Sequence, residues 1–218
     1  FYTQFGDDGP VDGPDAMADI TIIPAVIPPF SGSGSGTSGD PYQITSCAQI
    51  IEMNNDRTAA YILTTDLDCT TDGNNIMVGN TNAGFSGIFD GGNHAITINI
   101  DTTGVSNVGL FSYIENGGIV RHITVNGSVS GDSFNTGMIA GSINGSSAID
   151  VHSTGTVSSD SDYTGGLFGQ SLCDAIITDS DSSGLIVGIN FVGGISGFDG
   201  CEGPGSTMTN VFSTGSIN

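Results

Sequence analysis

Four cysteines, three histidines and twenty-three acidic residues are the groups in this chain with chemistry to offer. Cys173 and Cys201 lie 28 residues apart, as do Gly169 and Gly197 just ahead of them. There is no Cys-x-x-Cys, and His94, His122 and His152 stand singly, so the thiols read as disulfides rather than as a metal set. His122 precedes Asp150 by the same 28 residues, a spacing that offers a proton-sharing pair. Asp150 and Asp179 are candidates to stack as acids on neighbouring turns of chain, as are the neighbours of Asp160 and Asp162. The stretch Gly6-Asp7-Asp8-Gly9-Pro10-Val11-Asp12-Gly13-Pro14-Asp15 has oxygen ligands suited to Ca²⁺, but it lacks the EF-hand spacing and its terminal Glu. Asn126-Gly127-Ser128 and Asn144-Gly145-Ser146 are glycan acceptor sequons in a secreted protein and equally ordinary Asn-Gly corners.

Catalysis finds little support in these groups. Lyase chemistry needs a cationic base and positive charge to neutralise a uronate, whereas this chain has no lysine and only Arg57 and Arg121. Glycoside hydrolysis needs two carboxylates at a set separation, which an Asp-rich chain supplies by chance. No phosphate loop, zinc-protease motif or nucleophile elbow occurs. A non-enzyme without a cofactor is expected, with glycoside hydrolase as a distant alternative.

The elements that must position these residues are repeats. Val108-Gly109-Leu110-Phe111, Thr136-Gly137-Met138-Ile139, Thr164-Gly165-Gly166-Leu167 and Val192-Gly193-Gly194-Ile195 follow one another at steps of 28. A fixed period of this size marks a solenoid, whose coils bury their apolar sides only by stacking. Phe111, Ile139, Leu167 and Ile195 form one apolar column. Val129, Val157, Ile186 and Ile217 form another, each two residues after Gly127, Gly155, Gly184 or Gly215. The repeats are rich in Gly, Ser, Thr, Asp, Val and Ile and lack helical spacing, so each coil is read as about three short strands with glycine at corners or close approaches. Aligned at this period, the Ile123 and Val151 column meets Asp179-Ser180, which thins the core there. Stacked strands lie about 4.8 Å apart, within reach of a disulfide, so Cys173 pairs with Cys201 across two coils. Cys47 and Cys69 then pair by elimination.

The N-terminal region differs. Residues 1–39 read as an arm: an acidic Pro/Gly stretch, an apolar extended segment from Asp19 to Phe30 interrupted by Pro24, and a flexible linker from Ser31 to Gly39. Thr45 to Asn54 is the one convincing helix, with Thr45 or Ser46 as N-cap and Ile50, Ile51 and Met53 on an apolar side that covers the first coil. Tyr61 to Cys69 alternates as a half-buried strand. Residues 40–218 form the solenoid domain.

The succession Pro-Tyr-Gln-Ile, short helix, Tyr-Ile-Leu-Thr-Thr-Asp-Leu-Asp, Phe-Ser-Gly-Ile-Phe-Asp-Gly-Gly-Asn-His, Val-Gly-Leu-Phe, Thr-Gly-Gly-Leu-Phe-Gly resembles proteins carrying GLUG motifs over roughly residues 40–218. The resemblance implies a right-handed β-helix of secreted and cell-surface proteins, including adhesins and non-catalytic regions of bacterial surface peptidases.

A formal net charge of −21 repels nucleic acid and anionic lipid, and no segment has the ~20 apolar residues of a membrane span. Asp in corners and life in high salt or with divalent cations both account for the charge. The even cysteine count and Phe1 in place of a start Met point to an extracellular protein with its leader removed. The leading expectation is a structural subunit that forms a head-to-tail surface filament, a homo-polymer in which an N-terminal strand (Ile20, Ile22, Ile23, Val26, Ile27, Phe30) is donated to the last coil (Val211, Phe212, Ile217) of the next copy. The alternative is an adhesin module contacting glycans or other cell surfaces through its Thr/Ser/Asn-rich faces.

Overall fold

Short β-branched runs, separated by glycine and Asx corners, wind the chain into a β-solenoid of about five turns. The computed structural model describes residues 29–80, 82–201, 203 and 205–218. Every pairing between named strands among these residues is parallel, and register carries each coil directly onto the next. Ile88 pairs with Ile119, Ile119 with Ser147, Ser147 with Ile176 and Ile176 with Thr207, steps of 31, 28, 29 and 31 residues. The coils build one sheet of 13 strands and two smaller sheets of 3 and 4.

Corners are made by residues in the left-handed region. Asn93, His122, Asp150, Asp179 and Asn210 follow one another at one corner with φ of 61°, 51°, 56°, 53° and 54°; Asn107, Asn135, Tyr163 and Phe191 do so at another. Asn and Asp tolerate this backbone because their short polar side chains bond locally. In the glycine column beside the Val129 column, Gly127 and Gly155 also have positive φ, 105° and 112°, and close packing adds a second cause. A Cβ on Gly127 would lie 2.0 Å from the carbonyl oxygen of Ile98, and Cβ atoms on Gly155, Gly184 and Gly215 would each lie 2.1 Å from the carbonyl oxygen of the glycine one coil back. Glycine is required there because backbone stacks on backbone.

The core follows the columns but thins toward the C-terminus. Ile100, Val129, Val157, Ile186 and Ile217 lie in one register, as expected. In the neighbouring column Ile96 and Val125 give way to Ser153, Ser182 and Ser213. The expected loss of apolar side chains after Val151 is also present: Ser180 is fully buried there, its Oγ accepting the Val151 N–H at 3.1 Å. The large buried residues Tyr61, Phe85, Phe89 and Phe111 belong to the first coils, with Phe168 the later exception. The Phe111 column needs one correction. Phe111 pairs with Ala140 and Ala140 with Phe168, because the chain takes one more residue between Gly137 and Ala140 than between Gly109 and Phe111.

Helix Cys47–Glu52, continued by a 3₁₀ turn over Met53–Asn55, closes the N-terminal end and buries Ile50 and Met53. Ser46 is its N-cap but its hydroxyl makes no cap bond; Gln49 Oε1 instead accepts from Thr45 N at 2.7 Å and Thr45 Oγ1 at 3.1 Å. The strand expected over Tyr61 to Cys69 divides into Ala60–Leu63 and Leu67–Cys69 around a bend. The segment Ser31 to Gly39 is not a free linker. Ser33 and Gly36 carbonyls accept from Gln43 N and Ala60 N at 2.8 Å, and a Cβ on Gly32 or Gly34 would strike Gln43 or Pro41. Alternating glycine lets this segment lie flat on the first strands.

Replacing Gly184 by Ala is expected to lower unfolding stability by more than about 2 kcal/mol, because rigid backbone must move. Gly39→Ala, where a Cβ meets nothing within 4 Å, should stay within about 0.5 kcal/mol. Thermal or denaturant unfolding compares the two.

Candidate functional site

The cysteines lie where their spacing places them. Cys173 is bonded to Cys201 with Cα atoms 5.2 Å apart, and Cys47 to Cys69 at 5.6 Å; none is free among the described residues. The first bond joins equivalent points of two consecutive coils, because Ser171 pairs with Asp199 two residues earlier. The second ties the start of the capping helix to strand Leu67–Cys69. Asp72 approaches the latter pair, but both sulfurs are committed to the disulfide and give no metal ligand.

Along one corner of the large sheet, all three histidines meet aspartates. His94 Nδ1 lies 3.1 Å from Asp66 Oδ1, and His122 Nδ1 lies 3.1 Å from Asp90 Oδ1. His152 Nδ1 faces Asp181 Oδ1 at 2.5 Å while its Nε2 faces Asp150 Oδ1 at 3.1 Å. The expected His122–Asp150 pair does not form. Both residues sit in the left-handed corner column, and the two nearest donors, Arg121 Nε and the Gly92 N–H, bring Asp90 to His122 instead. Asp179 Oδ1 accepts from Asn210 Nδ2 at 2.7 Å. Asp179 is thus bonded to the next coil through Asn210, whereas Asp150 meets His152 within its own coil.

The electrostatics follow the same contacts. Burial opposes charge on Asp90, yet the Gly92 N–H, His122 and Arg121 together hold its pKa below the usual value. At Asp66 the Ala95 N–H, then His94, lowers it. At His152 burial disfavours the imidazolium, but hydrogen bonds to Asp181 and Asp150 outweigh it and raise the pKa. Two acceptors on two ring nitrogens call for two N–H groups, which only the protonated ring has.

The expected interface residues divide into three groups. Ile20, Ile22, Ile23, Val26 and Ile27, like the Asp-rich Ca²⁺ candidate, lie outside the described residues. Phe30 stacks on Tyr42 of its own solenoid, ring centroids 4.6 Å apart, and is thereby taken up by its own chain. Val211 packs partly against the core, whereas Phe212 and Ile217 are 54% and 51% exposed on the last described coil. Met208 on the same coil, and Phe191 and Ile189 one coil earlier, are also exposed. Of the sequons, Asn144 directs its Nδ2 to Tyr113 Oη at 3.1 Å, and Asn126 accepts from Thr154 Oγ1 at 2.6 Å.

No family model matches the chain. The likeness to GLUG-motif proteins therefore stands at the level of the β-solenoid. The chain is 33% identical over 130 residues to halomucin of Haloquadratum walsbyi, a match spanning 52% of this chain and 1% of that protein's length. A crystal structure from Bacteroides ovatus, of a protein proposed to be an immunoglobulin A1 protease, has a TM-score of 0.49 at 15% identity, covering 85% of this chain and 79% of that one. No helix among the described residues is long and apolar enough to cross a membrane.

A histidine whose pKa rises on folding adds stability that is complete below its unfolded value, near 6.5, and is lost as pH climbs through the higher folded value. The melting-temperature gap between the native protein and His152→Gln should therefore be widest near about pH 6 and close toward about pH 9. A gap independent of pH removes the charged His152 bridge.

Proposed function

We propose that this protein is a non-catalytic extracellular structural module, a disulfide-stapled rod that associates end to end into a surface filament. One observation carries the reading. Core columns run through to the last described coil, where Met208 continues Ile177 and Ile217 continues Ile186. Both inner residues are fully buried, while their successors are 37% and 51% exposed. A further strand laid in register on this coil buries these groups and pairs its backbone edge at once. The occupant we assign is the apolar run from Asp19 to Ile27 of a second copy, whose Ile20, Ile22, Ile23, Val26 and Ile27 supply the apolar side chains.

The two disulfides and the likeness to a halomucin support an extracellular or surface location. Charge sets the conditions. Copies carrying −21 each repel at low ionic strength, and the screening length falls to about 3 Å at 1 M salt, so assembly belongs to high salt. The alternative role as an adhesin module makes the opposite claim, ligand capture by single copies without assembly.

Electron microscopy and sedimentation at about 0.1 M and about 1 M salt test the proposal. Filaments are expected in high salt and should disappear in Phe212→Asp/Ile217→Asp and on removal of residues 1–28. The cut falls there because residues from Ser31 onward are bonded to the solenoid. Filaments that persist without residues 1–28 overturn strand donation, and filaments that persist in the double variant overturn the last coil as the interface.

A further inference from the structure

At the opposite end of the rod lies a cavity of about 360 Å³ between the capping helix and the first strands. Three aromatic rings form one side. Phe30 stacks on Tyr42 with centroids 4.6 Å apart, and Tyr61 stands 5.5 Å from both. Two carboxylates, Glu52 and Asp56, line the same space. Each is held by one oxygen: Glu52 Oε2 accepts the Ser31 N–H at 2.8 Å, and Asp56 Oδ1 accepts from Thr58 N at 3.1 Å and Thr58 Oγ1 at 2.7 Å. Glu52 Oε1 and Asp56 Oδ2 make no protein hydrogen bond among the described residues.

No basic side chain lines the cavity. Arg57, the nearest in sequence, turns Nη1 to the Asn54 carbonyl at 2.8 Å. The Tyr61 phenol is pushed well above its ordinary pKa, first by burial and then by the same Asp56, with Tyr42 and Glu52. Its hydroxyl donates to the Asp56 carbonyl at 2.6 Å, which fixes the ring as a wall.

We infer that this cavity binds an organic ammonium group. A cation is selected by the two carboxylates, with aromatic rings in the lining beside them, and the net charge of the whole molecule has the same sign. A hard metal ion is a poor match, since it takes six or more oxygen ligands and half of this wall is hydrocarbon. An ammonium carrying alkyl groups satisfies both halves, its charge meeting the carboxylates and its alkyl groups the hydrocarbon. Two sources share that chemistry, a lysine-type primary amine at the end of an alkyl chain and a small quaternary ammonium ion.

Titration of the full chain with n-butylammonium and with tetramethylammonium, each as the chloride, separates the two sources. Calorimetry follows binding, and tyrosine emission reports it directly because the chain has no tryptophan. Saturable binding of at least one ion is expected, about tenfold weaker in Glu52→Gln, where the amide oxygen still serves Ser31, and weaker again in Tyr42→Leu. Matched melting curves show that each variant is folded; if Tyr42→Leu is not, Glu52→Gln decides alone. The inference is overturned if neither ion binds saturably, if Glu52→Gln leaves affinity unchanged, or if K⁺ competes as well as the organic ions, which reduces the cavity to a counterion cloud.

Discussion

Everything in this molecule depends on backbone lying directly over backbone from one coil to the next. Parallel strands about 4.8 Å apart share hydrogen bonds along their whole length, and this leaves no room for a side chain where the path turns inward. The contacts at Gly127, Gly155, Gly184 and Gly215 show how tight the constraint is, each with the next carbonyl well inside van der Waals distance of any added Cβ. Once those positions are fixed, the apolar columns, the serine column and the Cys173–Cys201 bond fall into vertical lines. The same stacking gives the Asp-rich surface a use. Asp66, Asp90 and Asp181 each reach a histidine across a coil boundary, so part of the negative charge holds coils together.

The fold is legible because stacking turns a spatial neighbour into a fixed sequence distance. Val157 and Ile186 in register, and the Cys173–Cys201 disulfide, follow from counting, and Cys47–Cys69 then follows by elimination. Counting fails where a coil gains a residue. Equal spacing sets Phe111 against Ile139, whereas the extra residue before Ala140 moves the pairing by one. It also cannot say where a side chain points at a corner: His122 and Asp150 are one period apart, yet each finds another partner. The Ser/Gly segment misleads for a different reason. Its composition matches a flexible tether, and only the surface of Gln43, Tyr42 and Pro41 beneath it makes a flat, glycine-paved path favourable.

The candidate sites are less legible than the fold. The aromatic cavity unites Phe30, Tyr42 and Tyr61, which lie in three separate segments, with carboxylates from the helix end. No periodic rule connects them, since they precede the regular repeats. The exposed apolar residues of the last described coil are within reach of the sequence by continuing the columns to Met208 and Ile217.

The thinning of the core has a mechanical meaning. Early coils carry the large rings Phe85, Phe89 and Phe111, and in a separate column Ile96 and Val125 give way to Ser153, Ser182 and Ser213. Each valine-to-serine exchange forgoes roughly 1–2 kcal/mol of apolar burial, so resistance to peeling rises from the C-terminal side inward. Tension that pulls the chain away beyond Cys201 meets a covalent stop there, because Cys173–Cys201 closes a 28-residue loop worth about 3–4 kcal/mol. The coils before it remain an intact template onto which a loosened turn can rewind.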